Sequence, residues 1–212
     1  MKHFTRILVS ISLLVFSFAA KAELIINGGF EKPELAENSW SFFPEGTPDL
    51  GWQGSNVEIW HKLGGVQPNS GNQHAELNAH PNAGSWMIYQ TFSTIADDNY
   101  VLSFAYSARV NNNEAFKVEV LDGDHNSATV LASFEVSGTV GQWAIDGGVF
   151  AALGSTTTLK ISSINPLGGT FGNFIDDVSV KSENGGPSEV PEPSTLAILA
   201  LSLLGFSRLK RN

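Results

Sequence analysis

Cysteine is absent from the 212 residues, so no disulfide staples this chain and no thiol serves it as nucleophile or metal ligand. Basic residues are scarce: 12 Lys and Arg stand against 21 Asp and Glu, a net charge of −9. Between residues 23 and 182 the imbalance sharpens to 6 against 18, or −12. A surface of that sign does not draw nucleic acid or an anionic membrane, both of which need a basic patch. No apolar run reaches the ~20 residues of a full bilayer crossing. Missing too are the Gly-x-Ser-x-Gly elbow, the phosphate-cradling Gly-Lys-Ser/Thr loop and the helix-borne His-Glu-x-x-His pair. Catalysis therefore has little to stand on, and a binding role is the better expectation.

What is present begins with an export leader. Lys2 and Arg6 form a positive start, residues 7–18 an apolar segment, and Ala20-Lys21-Ala22 a small-x-small cleavage site. Cleavage after Ala22 implies the Sec translocon and signal peptidase as partners. Residues 1–22 are read as the signal peptide, with a helical apolar part, and 23–182 as one domain large enough to build its own core.

Within that domain the hydrophobic period is two, with almost no 3.6 pattern. Tyr100, Leu102, Phe104, Tyr106 and Ala108 share one strand face; Val101, Ser103, Ala105, Ser107 and Arg109 share the other. Further strands are predicted at 57–60, 74–78, 86–92, 116–121, 129–136, 143–150, 157–161 and 174–180. Turn formers punctuate them: Asn111-Asn112-Asn113, Asp122-Gly123-Asp124, Gly147-Gly148 and Pro166-Leu167-Gly168-Gly169. Many short strands divided this way predict an all-β sandwich.

Residues 183–190, with Asn184-Gly185-Gly186-Pro187, read as a linker. Then follow Pro191-Glu192-Pro193, an apolar segment at 195–206, and a basic end of Arg208, Lys210 and Arg211. The prolines impose an extended entry, and the terminal cations favour the cytoplasmic side. This order resembles the PEP-CTERM sorting signal of Gram-negative bacteria over residues 191–212. The resemblance implies an exosortase that cuts near Pro191-Glu192-Pro193, a precursor tethered at the inner membrane by a hydrophobic helix, and a product at the cell surface or outside. An apolar segment this short suits a transient processing signal better than a permanent anchor.

The two ends of the domain carry Asn27-Gly28-Gly29-Phe30-Glu31 and Phe174-Ile175-Asp176-Asp177-Val178-Ser179-Val180. Together with Trp52 they resemble the galactose-binding-like jelly rolls found in many carbohydrate-binding modules. The stretch Ser70-Gly71-Asn72-Gln73-His74-Ala75-Glu76-Leu77-Asn78 resembles a segment that recurs in exported wall proteins of this type. If the first and last segments lie side by side, Glu31 comes near Asp176 and Asp177. Crowded carboxylates need protons, amide donors or a cation, and the resemblance implies a structural Ca2+ at Glu31, Asp176 and Asp177. Alternation through Val178 and Val180 points Asp176 inward as well.

A polar face is predicted where His74, Glu76, Asn78 and His80 alternate with Ala75, Leu77 and Ala79. Asn56, Glu58 and Trp60 alternate with Val57 and Ile59 in the same way. Were the two strands neighbours, they would join carboxylate, amide, imidazole and indole, the mixture that sugar hydroxyls and the apolar face of a pyranose require. Trp60, Trp86 and Tyr89 are the candidate platforms. The opposing readings are a plain solvated face and, for Glu58 with Glu76, an acid pair for glycoside hydrolysis. The expectation for the whole chain is an exported, non-catalytic protein that binds or organises extracellular polysaccharide, with a structural matrix or adhesion role as the alternative.

Overall fold

The computed structural model describes residues 22–79 and 86–184. The leader and the sorting tail, with the helices expected there, lie outside the described residues, as does His80. The fold is all-β, a jelly-roll sandwich of two sheets. The first sheet runs β1 (Ser39–Phe43), β3 (Val57–His61), β4 (His74–Glu76), β11 (Phe174–Ser182), β6 (Asn99–Ser107) and β9 (Ala144–Ala151). The second runs β2 (Gln53–Gly54), β5 (Met87–Ser93), β10 (Thr156–Asn165), β7 (Ala115–Asp122) and β8 (Val130–Ser137). Every strand pairing within the two sheets is antiparallel.

Alternation decides what faces inward. Ile59, Ala75, Leu77, Leu102, Phe104 and Ile175 of the first sheet meet Trp86, Ile88, Phe116, Val118, Leu159 and Ile161 of the second. Trp52 stacks on Phe30 at 5.5 Å between ring centres and closes one end of this core. Burial of this apolar surface is the main stabilising term of the domain.

The amino end does run along the last strand, as expected, but as a bridge rather than a full strand. Glu23 bridges Lys181, and the Leu24 amide donates to the Val180 carbonyl at 3.0 Å. The Val178 amide donates to the Gly28 carbonyl at 3.0 Å. Gly28 is required there, since a β-carbon would stand 1.8 Å from the Val178 oxygen.

One sequence expectation is corrected in β11. Its register against β6 shifts between Asp176 and Ser179, and Asp177 has φ of 49°. This bulge reverses the alternation. Ile175, Val178 and Val180 all face the core, so Asp176 does not share the inward phase of the valines. Two strands were also missed. β1 lies in a stretch rich in Pro, Glu, Asn and Ser, and β2 has only two residues.

Candidate functional site

The strands β3 and β4 are neighbours, with Glu58 opposite Glu76 and Trp60 opposite His74. With Ile59, Ala75 and Leu77 turned to the core, Glu58, Trp60, His74 and Glu76 all stand on the outer face of the first sheet. That face is not simply solvated. His74 and Glu76 are fully buried, because aromatic residues and loops from distant parts of the chain cover them.

His74 is ringed by Phe174 at 4.6 Å, Trp143 at 5.6 Å and Trp60 at 6.1 Å. Trp143 is tied down by its indole N–H, which donates to the Gln67 carbonyl at 2.9 Å. Burial lowers the His74 pKa to about 4, so the ring is neutral at ordinary pH. Arg109, just beyond β6, lies between two rings: its guanidinium carbon is 4.7 Å from the Trp60 ring centre and 4.3 Å from that of Phe171. Its Nη1 donates to Glu76 Oε1 and, at 3.3 Å, to the Thr170 carbonyl. The Gly172 amide donates to the same Glu76 oxygen at 2.9 Å. Glu114 fixes the backbone of this turn by accepting the amides of Arg109, Val110 and Asn111. The Trp60 indole donates to Glu58 Oε1 at 2.9 Å. Glu58 and Glu76 are register partners on this face, and burial pushes Glu76 up to about 8 against the pull of Arg109.

Above this layer opens a cleft walled by Trp40, Glu58, Trp60, Arg109 and Phe171. Trp40 pairs with Trp60 across β1 and β3 and is 45% exposed; Phe171 is 56% exposed. Thr170 and Phe171 also wall a depression reaching Asn113 and Asn165, and Arg109 one reaching Trp143. Each of these two depressions shares a wall with the cleft, the first Thr170 and Phe171 and the second Arg109.

The predicted residues are thus divided. Glu58 and Trp60 reach the cleft, while His74 and Glu76 form its buried foundation. Asn78 is buried and anchors the covering loop, its Nδ2 donating to the Pro166 carbonyl at 2.8 Å. Asn56 precedes β3, and its carbonyl accepts the Trp86 indole N–H at 3.0 Å. Trp86 itself is a correction: it lies in the sandwich core and offers no platform. Its alternation with Ile88 places it inward. Tyr89 stands on the other sheet, stacked on His125 at 4.1 Å. Sequence reasoning missed Trp40, Trp143 and Phe171. For Arg109 a signal existed, because it continues the outward phase of Val101, Ser103, Ala105 and Ser107.

The three acids of the end motifs do gather at one corner. A β-carbon on Gly29 would lie 3.7 Å from Asp177 Oδ1, 3.9 Å from Asp176 Oδ1 and 4.0 Å from Glu31 Cγ. Loop residues 69–73 supply their partners. The amides of Asn69 and Ser70 donate to Asp176 Oδ2 at 2.9 and 3.1 Å. The Asn69 side-chain amide and the Ser70 hydroxyl donate to Asp177, both at 2.7 Å. The backbone amides of Asn72 and Gln73 donate to Glu31 Oε1 at 2.7 and 3.1 Å. Gly71 (φ 61°) permits this wrap, since a β-carbon there would stand 2.0 Å from Glu31 Oε1. Burial raises the Asp176 pKa to about 7. Among the described residues no group of three or more His, Cys, Asp or Glu is set to hold a metal ion. The carboxylate oxygens are aimed at N–H and O–H donors, so this arrangement is not a ready calcium cage.

Residues 23–181 match the protein family described as "Protein of unknown function (DUF642)". The chain belongs to the DUF642 family. Behind the DUF642 domain, residues 189–211 match the PEP-CTERM protein-sorting motif. That motif implies export and exosortase processing of a precursor held at the membrane by its tail. Among the described residues no helix is long and apolar enough to cross a membrane. No curated protein matches this chain. Solved structures similar to the DUF642 domain include a family 61 carbohydrate-binding module, TmCBM61, in complex with β-1,4-galactotriose. It has 17% identity and a TM-score of 0.49, covering 76% of this chain and 99% of that one. A second is a family 16 carbohydrate-binding module, with 16% identity, TM-score 0.48, and 74% and 98% covered. A third is the CBM22-1 xylan-binding domain of Paenibacillus barcinonensis Xyn10C, with 16% identity, TM-score 0.45, and 70% and 97% covered.

The two shifted groups beneath the cleft set a pH profile for folding. Glu76 binds its proton more tightly in the fold (about 8) than at its ordinary value of 4.5. Its contribution is full below that ordinary value and is lost as pH rises through about 8. His74, lowered from 6.5 to about 4, contributes fully above 6.5 and loses it as pH falls through about 4. The free energy of urea unfolding should therefore decline as pH rises from 6.5 through about 8, and Glu76→Gln should flatten that decline. A wild-type profile that stays level or climbs over this range would contradict the assignment.

Proposed function

We propose that the exported DUF642 domain binds polysaccharide outside the cell through the cleft on the outer face of its first sheet. One observation carries the reading: two solvent-exposed aromatic rings, Trp40 and Phe171, flank a floor of guanidinium, carboxyl and indole groups. A pyranose offers an apolar face to such rings and hydroxyls to such polar groups. The adjoining depressions toward Asn113 and Trp143 suit a chain of several sugars rather than one. Sec export with cleavage after Ala22, and exosortase cutting near Pro191-Glu192-Pro193, deliver the domain to that compartment.

A hydrolytic role for Glu58 and Glu76 is disfavoured by their placement and burial. Glycosidases set two carboxyls about 5–9.5 Å apart, on opposite sides of the scissile bond. Here the two are register partners on the same sheet face, and Glu76 is fully buried beneath Arg109, out of a substrate's reach.

A glycan array run beside a reducing-sugar assay separates the readings. Saccharide binding without product release is expected, and Trp40→Ala should weaken it about tenfold or more, roughly 1.4 kcal/mol, with the fold intact. Trp86→Ala should instead damage the fold, because it empties the core. Adhesion or self-association without any saccharide dependence would favour a matrix protein, and released sugar a hydrolase.

A structural Ca2+ at Glu31, Asp176 and Asp177 is a separate proposal. It is supported by the burial of Asp176 beside Asp177 with no cation in contact among the described residues. It is opposed by the donors that already fill those oxygens. If the ion is held, EGTA lowers the melting temperature by several degrees and excess CaCl2 restores it; an unchanged melting temperature removes calcium from the account.

A further inference from the structure

Both ends of the domain leave by one pole of the sandwich, and the cleft lies toward the other. Past the end of β11 the Glu183 amide donates to the Asn99 carbonyl at 2.8 Å, and the Asn184 amide to the Ser182 hydroxyl at 3.2 Å. Asn99 opens β6 and pairs with Ala151, which closes β9. The loops after β5 and β9 meet at this exit pole as well. There the Thr94 amide donates to the Ser155 carbonyl and the Ala152 amide to the Asp98 carbonyl, both at 3.0 Å. Glu23 bridges Lys181 in the antiparallel sense, so the amino end emerges beside the same loops.

The cleft belongs to the far pole. Glu58 pairs with Glu76, Glu76 with Phe174, and Phe174 with Ser107, so the cleft floor is level with the last residue of β6. Arg109 lies just beyond that residue, and Thr170 and Phe171 just before β11. The turns walling the neighbouring depressions, among them Asn113, Val140 and Asn165, are turns of this pole. β6 has nine residues and β10 ten, which sets the poles about 26–30 Å apart.

Ten residues, 185–194, join the exit pole to the apolar segment of the sorting tail. Their reach is about 35 Å at full stretch. Bringing the cleft down onto lipid would lift the exit pole by about the length of the sandwich and use nearly all of that reach. The chain would also have to double back, because β11 runs toward the exit pole and away from the cleft. Nor does charge draw the sandwich down. Asp97 and Glu183 are exposed at the exit pole, and Lys181 is paired with Glu23 at 3.6 Å, which gives an anionic lipid surface nothing to hold.

We propose that the precursor, while still held by its tail, presents its cleft away from the membrane and takes up polysaccharide before the exosortase cut. The uptake rests on the saccharide reading above; the orientation does not. The cut then releases a loaded binder rather than an empty one.

The test uses the leader-cleaved chain with its tail intact, held in liposomes or in detergent micelles. The chain has no cysteine, so Leu153→Cys and Leu167→Cys each provide a single labelling point. The two leucines are 59% and 66% exposed and flank β10 at opposite poles. On liposomes, energy transfer to a headgroup acceptor should be stronger from the label at 153 than from that at 167, as a separation of about 30 Å requires. Equal transfer, or stronger transfer from 167, overturns the orientation. Soluble galactan, xylan and β-glucan are the probes for uptake. The best bound of them should bind the liposome-held chain no more than about twofold more weakly than the micelle-held chain. Binding in micelles with a larger loss on liposomes overturns uptake before the cut and leaves the saccharide reading standing. Binding in neither overturns the saccharide reading and the uptake together, while energy transfer still decides the orientation.

Discussion

The contact between Arg109 and Glu76 is the constraint on which the outer layer of this protein depends. A fully buried carboxyl on a central strand has no reason to be there unless something compensates it. Arg109 does so from the end of β6, and its guanidinium lies against Trp60 on one side and Phe171 on the other. Through Thr170 and Gly172 the same pair engages the covering segment. One ionic contact thereby joins β4, β6, β3 and the loop before β11 into a second, polar-aromatic layer outside the apolar core. The cleft is the upper surface of that layer.

The last strand links the two specialised regions. At its start, Phe174 packs against His74 and Trp60 under the cleft. Two residues on, the bulge turns Asp176 away from the core and toward the loop at 69–73. The stretch from Ser70 to Glu76 is therefore shared: its beginning wraps the acid corner, and its end, as β4, supplies the foundation of the cleft. This shared use explains why that segment carries so many polar side chains at buried positions.

Much of the sandwich was legible because most strands, β6 and β7 among them, alternate cleanly, and alternation is a local property of the chain. The face shared by Glu58, Trp60, His74 and Glu76 was legible for the same reason. Its burial was not, since Trp143 and Phe171 reach it from some 70 to 95 residues further along the chain, and nothing local announces such a cover. The bulge at Asp176 defeated the phase argument, as an inserted residue must. Trp40 was hidden in a stretch whose composition reads as loop, and becomes a strand through its pairing with β3. Trp86 was misplaced by residue type, although its alternation with Ile88 already pointed it inward.

A double-mutant cycle on folding stability tests the central contact most directly. Measured above pH 8, where Glu76 is ionised, Arg109→Met alone should cost about 3–5 kcal/mol by leaving a buried charge unpaired. Adding Glu76→Gln should recover a large part of that loss, a coupling well above the roughly 0.5 kcal/mol at which independent sites add. Strictly additive losses would contradict the account, because they would mean that the two side chains do not hold each other in the fold.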